Sequence, residues 1–484
     1  QNYIAGFGTQ SNYYRPMQLL TYCAIINTVG FKLWAFHAIN IVFHAGGGVL
    51  IFALIKRLLQ GINPLVAFAA SLLWLAHPVH VEEIALPSGI ASPQHFFFLL
   101  LGVWAFLKSI DDPPPRPWTW RLASLAAYLC AILSKESAIT GCALILITHI
   151  AVIESKGEGF PSVTRLLKIH APFWILATCY ITLRFTVLDF DNTLNFYKTQ
   201  NVLTENPIYR FYTFLTVFAH GLRLLVVPTG LHPEVTWPVF INPFDTTVMT
   251  GALVVLALLA LAGWSWHKNL PMVTLGISWY FISYSPMSNL VAMINALFWE
   301  HWLYTPSFGA VLALAAAATR YPVIAKVFTP VAFAAALALG VQSFNRNPNW
   351  KDSETYFSYL LKHEPRKSKL WTNLGMAVSN KGREQEAIRY YAQAIALEDV
   401  YPETRHNLGN ALLNIGNHAE AEKQFLRALE IKPDFFHSYL QLANLYYIKG
   451  DKHKAVESLE KSLQIYPDQP QVRDALARLK AEVR

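Results

Sequence analysis

Residues 246–266 read TTVMTGALVVLALLALAGWSW, a run of 21 consecutive positions without a charged side chain. A helix of about 20 apolar residues crosses a hydrocarbon core of about 30 Å, so this run predicts a transmembrane helix. Comparable apolar runs recur through the first 350 residues. We place them near residues 33–57, 63–77, 92–109, 119–133, 137–154, 168–187, 271–286, 302–319 and 323–343.

Charge is distributed unevenly along the 484 residues. Only 32 of the first 350 residues are Asp, Glu, Lys or Arg, whereas 38 of the last 134 are. Soluble domains carry about 25% charged residues, so the first part faces lipid and the second faces water. The sequence predicts an all-α protein, with a polytopic membrane domain at 1–350 and a water-exposed domain at 351–484. The net charge of +8 lies mostly in the membrane part, which indicates cytoplasmic loops and no nucleic-acid binding.

One apolar segment, 209–227, is a poor candidate for a span. It contains two arginines and a histidine, and a lipid-exposed helix with that charge is costly. When it is left out, the basic loops all fall on one side of the membrane, as the positive-inside rule requires. We therefore predict ten spans, with 1–32 and 344–484 both extracytoplasmic. An outside N-terminus without a signal peptide implies an eleventh span upstream of Gln1.

A period of 34 residues begins near residue 350. Small residues recur at Gly375 and Gly409, and at Ala387, Ala421 and Ala455. This is the pattern of the tetratricopeptide repeat (TPR), in which small residues let paired helices approach closely. The expected units are a half repeat at 352–365, full repeats near 368–401, 402–435 and 436–469, and a capping helix at 470–484. Such repeats bind peptides or proteins on their concave face, or serve as a packing platform.

The loops predicted on the extracytoplasmic side carry the unusual polar residues. A transporter usually shows internal repeats and ionisable residues at mid-membrane depth, and neither pattern is visible here. A transferase that uses a lipid phosphate needs cations for the leaving phosphate and a carboxylate for the acceptor proton. The cations on this side are Arg15, Lys135, Arg184 and Arg223. The carboxylates are Glu82, Glu83, Glu136, Glu234 and Glu300.

Each candidate also has a structural explanation. Lys135 and Glu136 could form a solvated turn between two spans. His77 and His80 could be hydrogen-bonded interfacial histidines instead of a base or metal pair. Arg223 could extend toward the lipid headgroups.

Two further groups have structural explanations as well. Glu300 and His301 open a span and could simply cap its helix. The four cysteines have no CxxC spacing and lie in or beside apolar runs, so neither a disulfide framework nor a zinc site is indicated.

The order of the polar motifs resembles that of a known family. The motifs are YYRP (13–16), HPVHVE (77–82), SKES (134–137), SPMSNL (285–290) and EHWLYTPS (300–307), followed by TPRs. Over nearly the whole chain, this series resembles the transmembrane and TPR-containing O-mannosyltransferases and their bacterial relatives, in the GT-C glycosyltransferase superfamily. The resemblance implies an outward-facing active site that transfers a mannose-like sugar from a polyprenyl-phosphate donor to Ser/Thr of proteins.

The resemblance also implies roles for individual residues. Arg15, Lys135 and Arg223 would bind the donor phosphate, and Glu82 and Glu234 would be the catalytic carboxylates. The supporting residues would be Tyr14, His77, His80, Glu136, Glu300 and His301. No metal ligand is assigned, and the need for a divalent metal is left open.

The resemblance and the small number of repeats together imply a location and partners. Because few repeats indicate a bacterial protein, the location would be a bacterial cytoplasmic membrane, with the TPR domain in the periplasm. The partners would be the bilayer, the lipid-linked sugar, and a protein substrate or partner subunit bound by the TPRs.

Two departures from the family keep an alternative open. Relatives often read Gly-Arg-Ala-Asp where this chain has Gly89-Ile90-Ala91-Ser92, and the family's acidic motif would lie upstream of Gln1. The alternative is a catalytically inactive GT-C/TPR scaffold subunit of a larger membrane complex. A third hypothesis is a transferase that acts on a lipid or cell-wall glycan.

Overall fold

The computed structural model describes residues 14–111, 116–157, 159–187, 202–233, 235–290, 294, 296–320 and 322–483. Every regular element in these residues is helical, which confirms the all-α class. The chain divides into two compact units, residues 1–348 and 349–484. The description of the first unit as GT-C-like, and of the second as extracytoplasmic, stays a prediction.

The first unit is a bundle of helices joined by short turns. Its helices are α1 (Pro16–Val29), α2 (Leu33–Leu58), α3 (Pro64–Leu75), α4 (Val81–Ala85), α5 (Ala91–Ser109), α6 (Pro117–Ser134), α7 (Gly141–Lys156), α8 (Val163–Thr186), α9 (Val202–Glu205), α10 (Pro207–Val226), α11 (Thr246–His267), α12 (Pro271–Tyr284), α13 (Pro306–Arg320) and α14 (Pro322–Arg346). Its 3₁₀ turns include Pro78–His80, Pro87–Ile90, Glu136–Thr140 and Glu300–Leu303.

Six helical segments in the described residues are long and apolar enough to cross a membrane. They are Leu33–Leu58, Pro87–Ser109, Glu136–Lys156, Val163–Thr186, Thr246–His267 and Val323–Trp350. The pair α3–α4, bent by 46°, adds a seventh if it crosses as one span. Every predicted span coincides with a helix, but α6, α12 and α13 are not among these segments, and neither is α10. The count of ten spans therefore stays a prediction.

Proline marks the start of many helices in this unit. It occupies the first position of α1, α3, α6, α10, α12 and α13, where the missing N–H would be unpaired in any case. Asn63 additionally caps α3, since its side chain accepts a hydrogen bond from the Leu65 N–H at 2.9 Å. The 3₁₀ turns that begin at Pro78 and Pro87 follow the same rule, and they border the α4 segment described below.

Large aromatic rings form the centre of the first unit's core. Trp74 of α3 stacks on Phe96 of α5 with ring centroids 4.8 Å apart, and Phe96 meets Tyr304 edge to face at 5.5 Å. The Tyr304 hydroxyl lies 2.7 Å from Nδ1 of His44 on α2. These buried rings tie the turn after α3 to the turn before α13, so they fix the position of the polar side chains on both turns.

The second unit consists of paired helices. They are α15 (Ser353–His363), α16 (Ser368–Ser379), α17 (Glu384–Leu397), α18 (Pro402–Asn414), α19 (His418–Ile431), α20 (Phe436–Ile448), α21 (Lys452–Ile465) and α22 (Pro470–Val483). Asp352, Asn417 and Asp451 cap α15, α19 and α21 by accepting a backbone hydrogen bond. The order is that of the predicted half repeat, three full repeats and capping helix.

Equivalent positions in successive repeats show how each helix pair is packed. Gly409 of α18 lies against the buried ring of Phe425 on α19, and a Cβ at Gly409 would lie 2.6 Å from that ring. One period later the same two positions hold Ala443 and Leu459, which share a buried cluster. The added methyl group is thus matched by a smaller partner side chain.

We expect Gly409→Ala to destabilise the second unit by about 1–3 kcal/mol, because the added Cβ overlaps the Phe425 ring. Adding Phe425→Leu should recover much of this loss, since the double variant reproduces the Ala443–Leu459 pair of the next repeat. Urea unfolding of residues 349–484 measures both effects. Losses that simply add in the double variant would contradict this account of the packing.

Candidate functional site

The acidic segment of the site is the short helix α4, which carries Glu82 and Glu83. The side chain of Asn40 on α2 donates to the carbonyl of Leu86 at 2.8 Å, and it also reaches the carbonyls of Glu83 and Ile84. Gly89 packs directly on the Glu83 backbone, where a Cβ would overlap the carbonyl oxygen. A residue with a side chain at this position would displace α4. The backbone that carries the two carboxylates is therefore held from both sides.

A lysine from a different part of the chain pairs with Glu83. Lys135 follows α6, and its Nζ donates to the Ser92 hydroxyl at 2.6 Å and lies 3.5 Å from Glu83 Oε1. The Ser92 hydroxyl donates in turn to Glu83 Oε1 at 2.7 Å. All three residues are buried. A buried carboxylate and a buried ammonium are tolerated together because each satisfies the other.

His301 joins the two carboxylates of α4. Its Nδ1 lies 3.2 Å from Glu82 Oε2, and its Nε2 lies 3.9 Å from Glu83 Oε1. The histidine is on the 3₁₀ turn Glu300–Leu303, more than 200 residues from α4 in sequence. A carboxylate in contact with an imidazole is an arrangement that can accept and pass on a proton.

Arg15 and Glu136 form a second ion pair. The guanidinium donates twice to the carboxylate, from Nε to Oε2 at 3.0 Å and from Nη2 to Oε1 at 2.7 Å. Both side chains are partly buried. Arg184, near the end of α8, is close enough for its charge to act on Glu136. A two-pronged guanidinium pair of this kind matches carboxylates and phosphates equally well.

Glu300 is fully buried next to His301 and pairs with Arg346 of α14. The Arg346 Nη2 donates to Glu300 Oε1 at 2.7 Å, and its Nη1 donates to the carbonyl of Pro78. The other carboxylate oxygen, Oε2, has no hydrogen-bond partner in the described residues. Burial raises the pKa of Glu300 to about 7, although the Arg346 charge acts to lower it. Glu300 therefore titrates near neutral pH.

The acidic cluster, defined here as Arg15, Ser92, Lys135, His301, Arg346 and the glutamates 82, 83, 136 and 300, connects α1, α4, α5, α6, α14 and two turns. Each of its carboxylates faces a cationic or imidazole partner. The cluster thus offers both groups that acyl- or glycosyl-transfer chemistry needs, a proton acceptor and cations for a developing negative charge.

Other predicted site residues lie elsewhere. His77 Nε2 contacts the Leu225 carbonyl at 3.2 Å, and His80 is buried among aromatic rings with its Nε2 3.2 Å from the Ser307 hydroxyl. Both contacts agree with the structural explanation of these histidines. Tyr14 packs half-buried against the apolar core.

One predicted residue, Arg223, is not brought to the acidic cluster, and another is not described by the structure. Arg223, near the C-terminal end of α10, donates to the hydroxyl of Thr229 at 3.2 Å and to its carbonyl at 3.3 Å. Glu234 lies outside the described residues. The roles assigned to these two residues stay predictions.

Three members of this arrangement were missed at the sequence level. Ser92 was noted only as a departure from the family's Asp, Asn40 is one polar residue in an apolar helix, and Arg346 closes a long apolar run. For each of the three, the sequence feature that could have indicated a role is a polar residue within or beside an apolar stretch. Their partners lie 9–268 positions away along the chain, which no local pattern reveals. Ile90, the other departure, is fully buried in the turn before α5.

Among the residues that the structure describes, no group of three or more His, Cys, Asp or Glu side chains is arranged to hold a metal ion. The four cysteines are free thiols.

Known proteins match both parts of this architecture. Models of the tetratricopeptide repeat match residues 368–400 and 400–468. A solved structure, the crystal structure of MamA protein, is 22% identical, with a TM-score of 0.25 over 26% of this chain and 69% of MamA.

Curated relatives extend over most of the chain. Human protein O-mannosyl-transferase TMTC4 is 27% identical over 443 residues, which cover 79% of this chain and 58% of TMTC4. Human TMTC3 is 25% identical, over 79% of this chain and 44% of TMTC3. The Caenorhabditis elegans protein O-mannosyl-transferase F38B6.6 is 24% identical, over 81% of this chain and 54% of its own length. The chain spans about half the length of these relatives.

The helical bundle with its apolar segments and the C-terminal repeats define an all-α, multi-pass membrane protein that contains TPRs. Its homologues are the protein O-mannosyl-transferases of the transmembrane and TPR-containing group, at 23–27% identity over about 80% of the chain. This confirms the resemblance that the order of motifs indicated.

We expect the protein to become less stable as the pH rises from 5 to 8. An unfolded Glu titrates near pH 4.5 and Glu300 in the folded protein near 7, so the folded state binds the proton more tightly. The stabilisation that comes from this bound proton is lost as the pH rises from 5 to 8, which lowers the free energy of unfolding by about 2 kcal/mol. Thermal unfolding in detergent at several pH values measures the change.

Glu300→Gln should remove this pH dependence, because the amide cannot ionise. Glu154→Gln, near the C-terminal end of α7, is the matched control, because Glu154 forms no ion pair among the residues that the structure describes, and it should keep the pH dependence. A Glu300→Gln protein with the full pH dependence of the wild type would show that another group causes it.

Proposed function

We propose that this protein is a membrane O-glycosyltransferase that moves a mannose-like sugar from a polyprenyl-phosphate donor to Ser/Thr hydroxyls of proteins. Homology to protein O-mannosyl-transferases supports glycosyl transfer at the level of the family. The observation that carries the proposal for this chain is the contiguous path from Lys135 through Ser92 and Glu83 to His301 and Glu82.

In the proposed reaction, Glu82 is the base. The acceptor hydroxyl oxygen bonds to the anomeric carbon of the sugar while its proton passes to the Glu82 carboxylate. The bond from that carbon to the phosphate oxygen breaks, and its electron pair leaves with the polyprenyl phosphate. His301, 3.2 Å from Glu82, orients the carboxylate and stabilises its charge. Glu234 is the second carboxylate of the proposal.

The donor phosphate would be held by cations. Arg15 and Lys135 are candidates because they lie in the acidic cluster, and Arg223 is a third because of the family resemblance. Arg15 is now paired with Glu136 in the geometry that a phosphate would also use. Donor binding would then exchange Glu136 for the phosphate as the partner of Arg15, while Arg184, whose charge also acts on Glu136, would stay near the released carboxylate.

The remaining parts of the proposal concern location and partners. The protein would lie in a bacterial cytoplasmic membrane with its repeats in the periplasm, in contact with the bilayer and the lipid-linked sugar. The repeats would bind the protein substrate or a partner subunit. Support for protein binding comes from the repeat family itself.

One observation favours the alternative, a non-catalytic scaffold subunit of a larger membrane complex. Each cation of the acidic cluster already contacts a carboxylate or is close to one, and Ser92 stands where relatives often carry Asp. A cluster neutralised in this way could serve only to hold the helices together. The two proposals differ in whether any sugar is transferred.

We expect Glu82→Gln to lower the rate of sugar transfer by about 10²–10⁴-fold, the usual contribution of a general base. The assay incubates purified full-length protein with polyprenyl-phosphate mannose and a Ser/Thr-containing peptide, and measures the glycosylated peptide by mass spectrometry. Glu154→Gln is the control and should transfer sugar at the wild-type rate.

The outcomes separate the alternatives. Full activity in Glu82→Gln would exclude Glu82 as the base. An inactive wild type that co-purifies with another subunit at fixed stoichiometry would support the scaffold. Transfer to a lipid or glycan acceptor, with none to peptide, would support the third hypothesis.

A further inference from the structure

Arg210 is a charged residue on the face of α10 that packs against the rest of the first unit. Thr213, Phe214 and Val217 follow it at the spacing that places side chains on one helix face, and all four line one small cavity. Thr213 and Val217 are buried. A positive charge on such a face requires a partner or an anion, because an unpaired charge is costly away from water.

Arg210 has no partner among the residues that the structure describes. Its Nε is shielded from solvent and donates to no acceptor there, and its guanidinium forms no ion pair with a described carboxylate. The buried cations Lys135 and Arg346, in contrast, pair with Glu83 and Glu300. Arg210 therefore differs from the cations of the acidic cluster, whose charges are compensated within the chain.

Tyr284, at the end of α12, forms another part of the wall of the same cavity. Its side chain is fully buried, and its hydroxyl has no hydrogen-bond partner in the described residues. The ring lies edge to face against Phe218 of α10 at 5.7 Å and is stacked on Tyr280 at 6.2 Å. Because these rings hold it in place, the hydroxyl cannot easily turn toward a partner elsewhere.

The other strongly polar side chains of the wall are already bonded. Asn289 donates from Nδ2 to the Ala296 carbonyl at 2.9 Å and accepts from the Ile294 N–H at 2.7 Å. The Ser288 hydroxyl donates to the Ser285 carbonyl at 2.7 Å. What stays available is a guanidinium and a phenol, and both can donate hydrogen bonds. The first turn of α10 adds the positive end of a helix dipole, so the cavity suits an anionic acceptor.

The size of the cavity limits what can enter it. Its volume is about 10 Å³, close to the smallest space that holds one water molecule. One oxygen of an oxyanion fits, whereas a sugar ring does not. The rest of such an anion would lie at the mouth of the cavity, where a guanidinium can bind two of its oxygens.

The mouth of the cavity has apolar surroundings. Val202, Phe211 and Leu290 are each next in sequence to a residue that lines the cavity, and all three are exposed. Exposed apolar side chains around a cationic site favour a ligand that carries an anionic group and hydrocarbon chains together.

The position of α10 relative to an apolar span indicates the depth of the site. Gly251 of α11 packs on the α10 backbone, where an added Cβ would lie 2.5 Å from the Leu215 carbonyl oxygen. Gly251 comes five residues after the start of the span Thr246–His267, which is about 8 Å along a helix about 33 Å long. The contact is thus near one end of the span, close to the level of the lipid headgroups.

We infer that this cavity binds the phosphate group of a membrane phospholipid, with Arg210 and Tyr284 donating hydrogen bonds to the phosphate oxygens. The hydrocarbon chains would lie along the exposed Val202, Phe211 and Leu290. The bound lipid compensates the charge of Arg210 and joins the start of α10 to the end of α12.

This lipid site is separate from the acidic cluster. Gly221 of α10 packs against Leu303, on the turn that carries Glu300 and His301. Arg210 lies 11 residues before Gly221, which is about 16 Å along the helix. The inference therefore concerns a second phosphate site, and it does not rest on the proposed function.

The test is a competition assay with the purified, delipidated full chain in detergent. The probe is phosphatidylglycerol with a fluorescent label on one acyl chain, and its binding is followed by fluorescence anisotropy. The competitors are dioctanoyl phosphatidylglycerol, dioctanoylglycerol and inorganic phosphate. We expect the first to compete at least tenfold better than the second, which lacks the phosphate, and inorganic phosphate to compete only at millimolar concentration.

Arg210→Gln should weaken binding of the labelled lipid tenfold or more, the range of a hydrogen bond to a charged group. Tyr284→Phe, which removes a single oxygen, should weaken it about three- to tenfold. Arg165→Gln is the matched control, because Arg165 is an exposed arginine at the start of α8, and it should bind as the wild type does. Circular dichroism checks that the variants keep their helix content.

Four results would overturn the inference. They are wild-type affinity in Arg210→Gln, an equal loss in Arg165→Gln, equal competition by dioctanoylglycerol and the phospholipid, and competition by inorganic phosphate as strong as that by the lipid. The first three would leave no specific phosphate contact, and the last would assign the site to free phosphate. The assay contains no sugar donor, so its outcome is independent of whether the protein transfers sugar.

Discussion

The hydrogen bonds of the Ser92 hydroxyl hold the acidic cluster together. The hydroxyl donates to Glu83 and accepts from Lys135, and all three groups are shielded from water. Ionised side chains in such surroundings persist only when they are paired, since a single unpaired charge costs several kcal/mol. The short helix α4, the end of α6 and the start of α5 must therefore meet at one point. The rest of the cluster is arranged around that meeting point.

Both units of the chain are built from helices, but the helices of the first unit face lipid and those of the second face water. In the membrane unit the contrast between inside and outside is weak, because lipid is as apolar as the core. Only 11% of the most apolar stretch of Thr246–His267 is buried inside the protein, whereas 78% of that of Pro87–Ser109 is. In the repeat unit, charged residues cover the outside, as in the ion pairs of Glu354 with Lys381 and Arg383.

Sequence patterns predicted what depends on local chemistry and missed what depends on distant partners. Apolar runs located the helices of the membrane unit, and the 34-residue period located those of the repeats, because both patterns are repeated within a few turns. The pairing of Arg346 with Glu300 joins two long-separated turns, and a single sequence contains no signal for it. The motif series did place Glu82 and Lys135 in one cluster, through resemblance. It did not foresee that Ser92 would bridge them, nor that Arg223 would contact Thr229.

The pairs Gly409–Phe425 and Ala443–Leu459 occupy equivalent positions one repeat apart. A change at either member of a pair leaves an overlap or a void until its partner changes too. Evolutionary drift at these sites therefore has to proceed in coupled steps, through an intermediate of lower stability. Related chains should vary at the two positions together, so that side-chain volume is better preserved than residue identity.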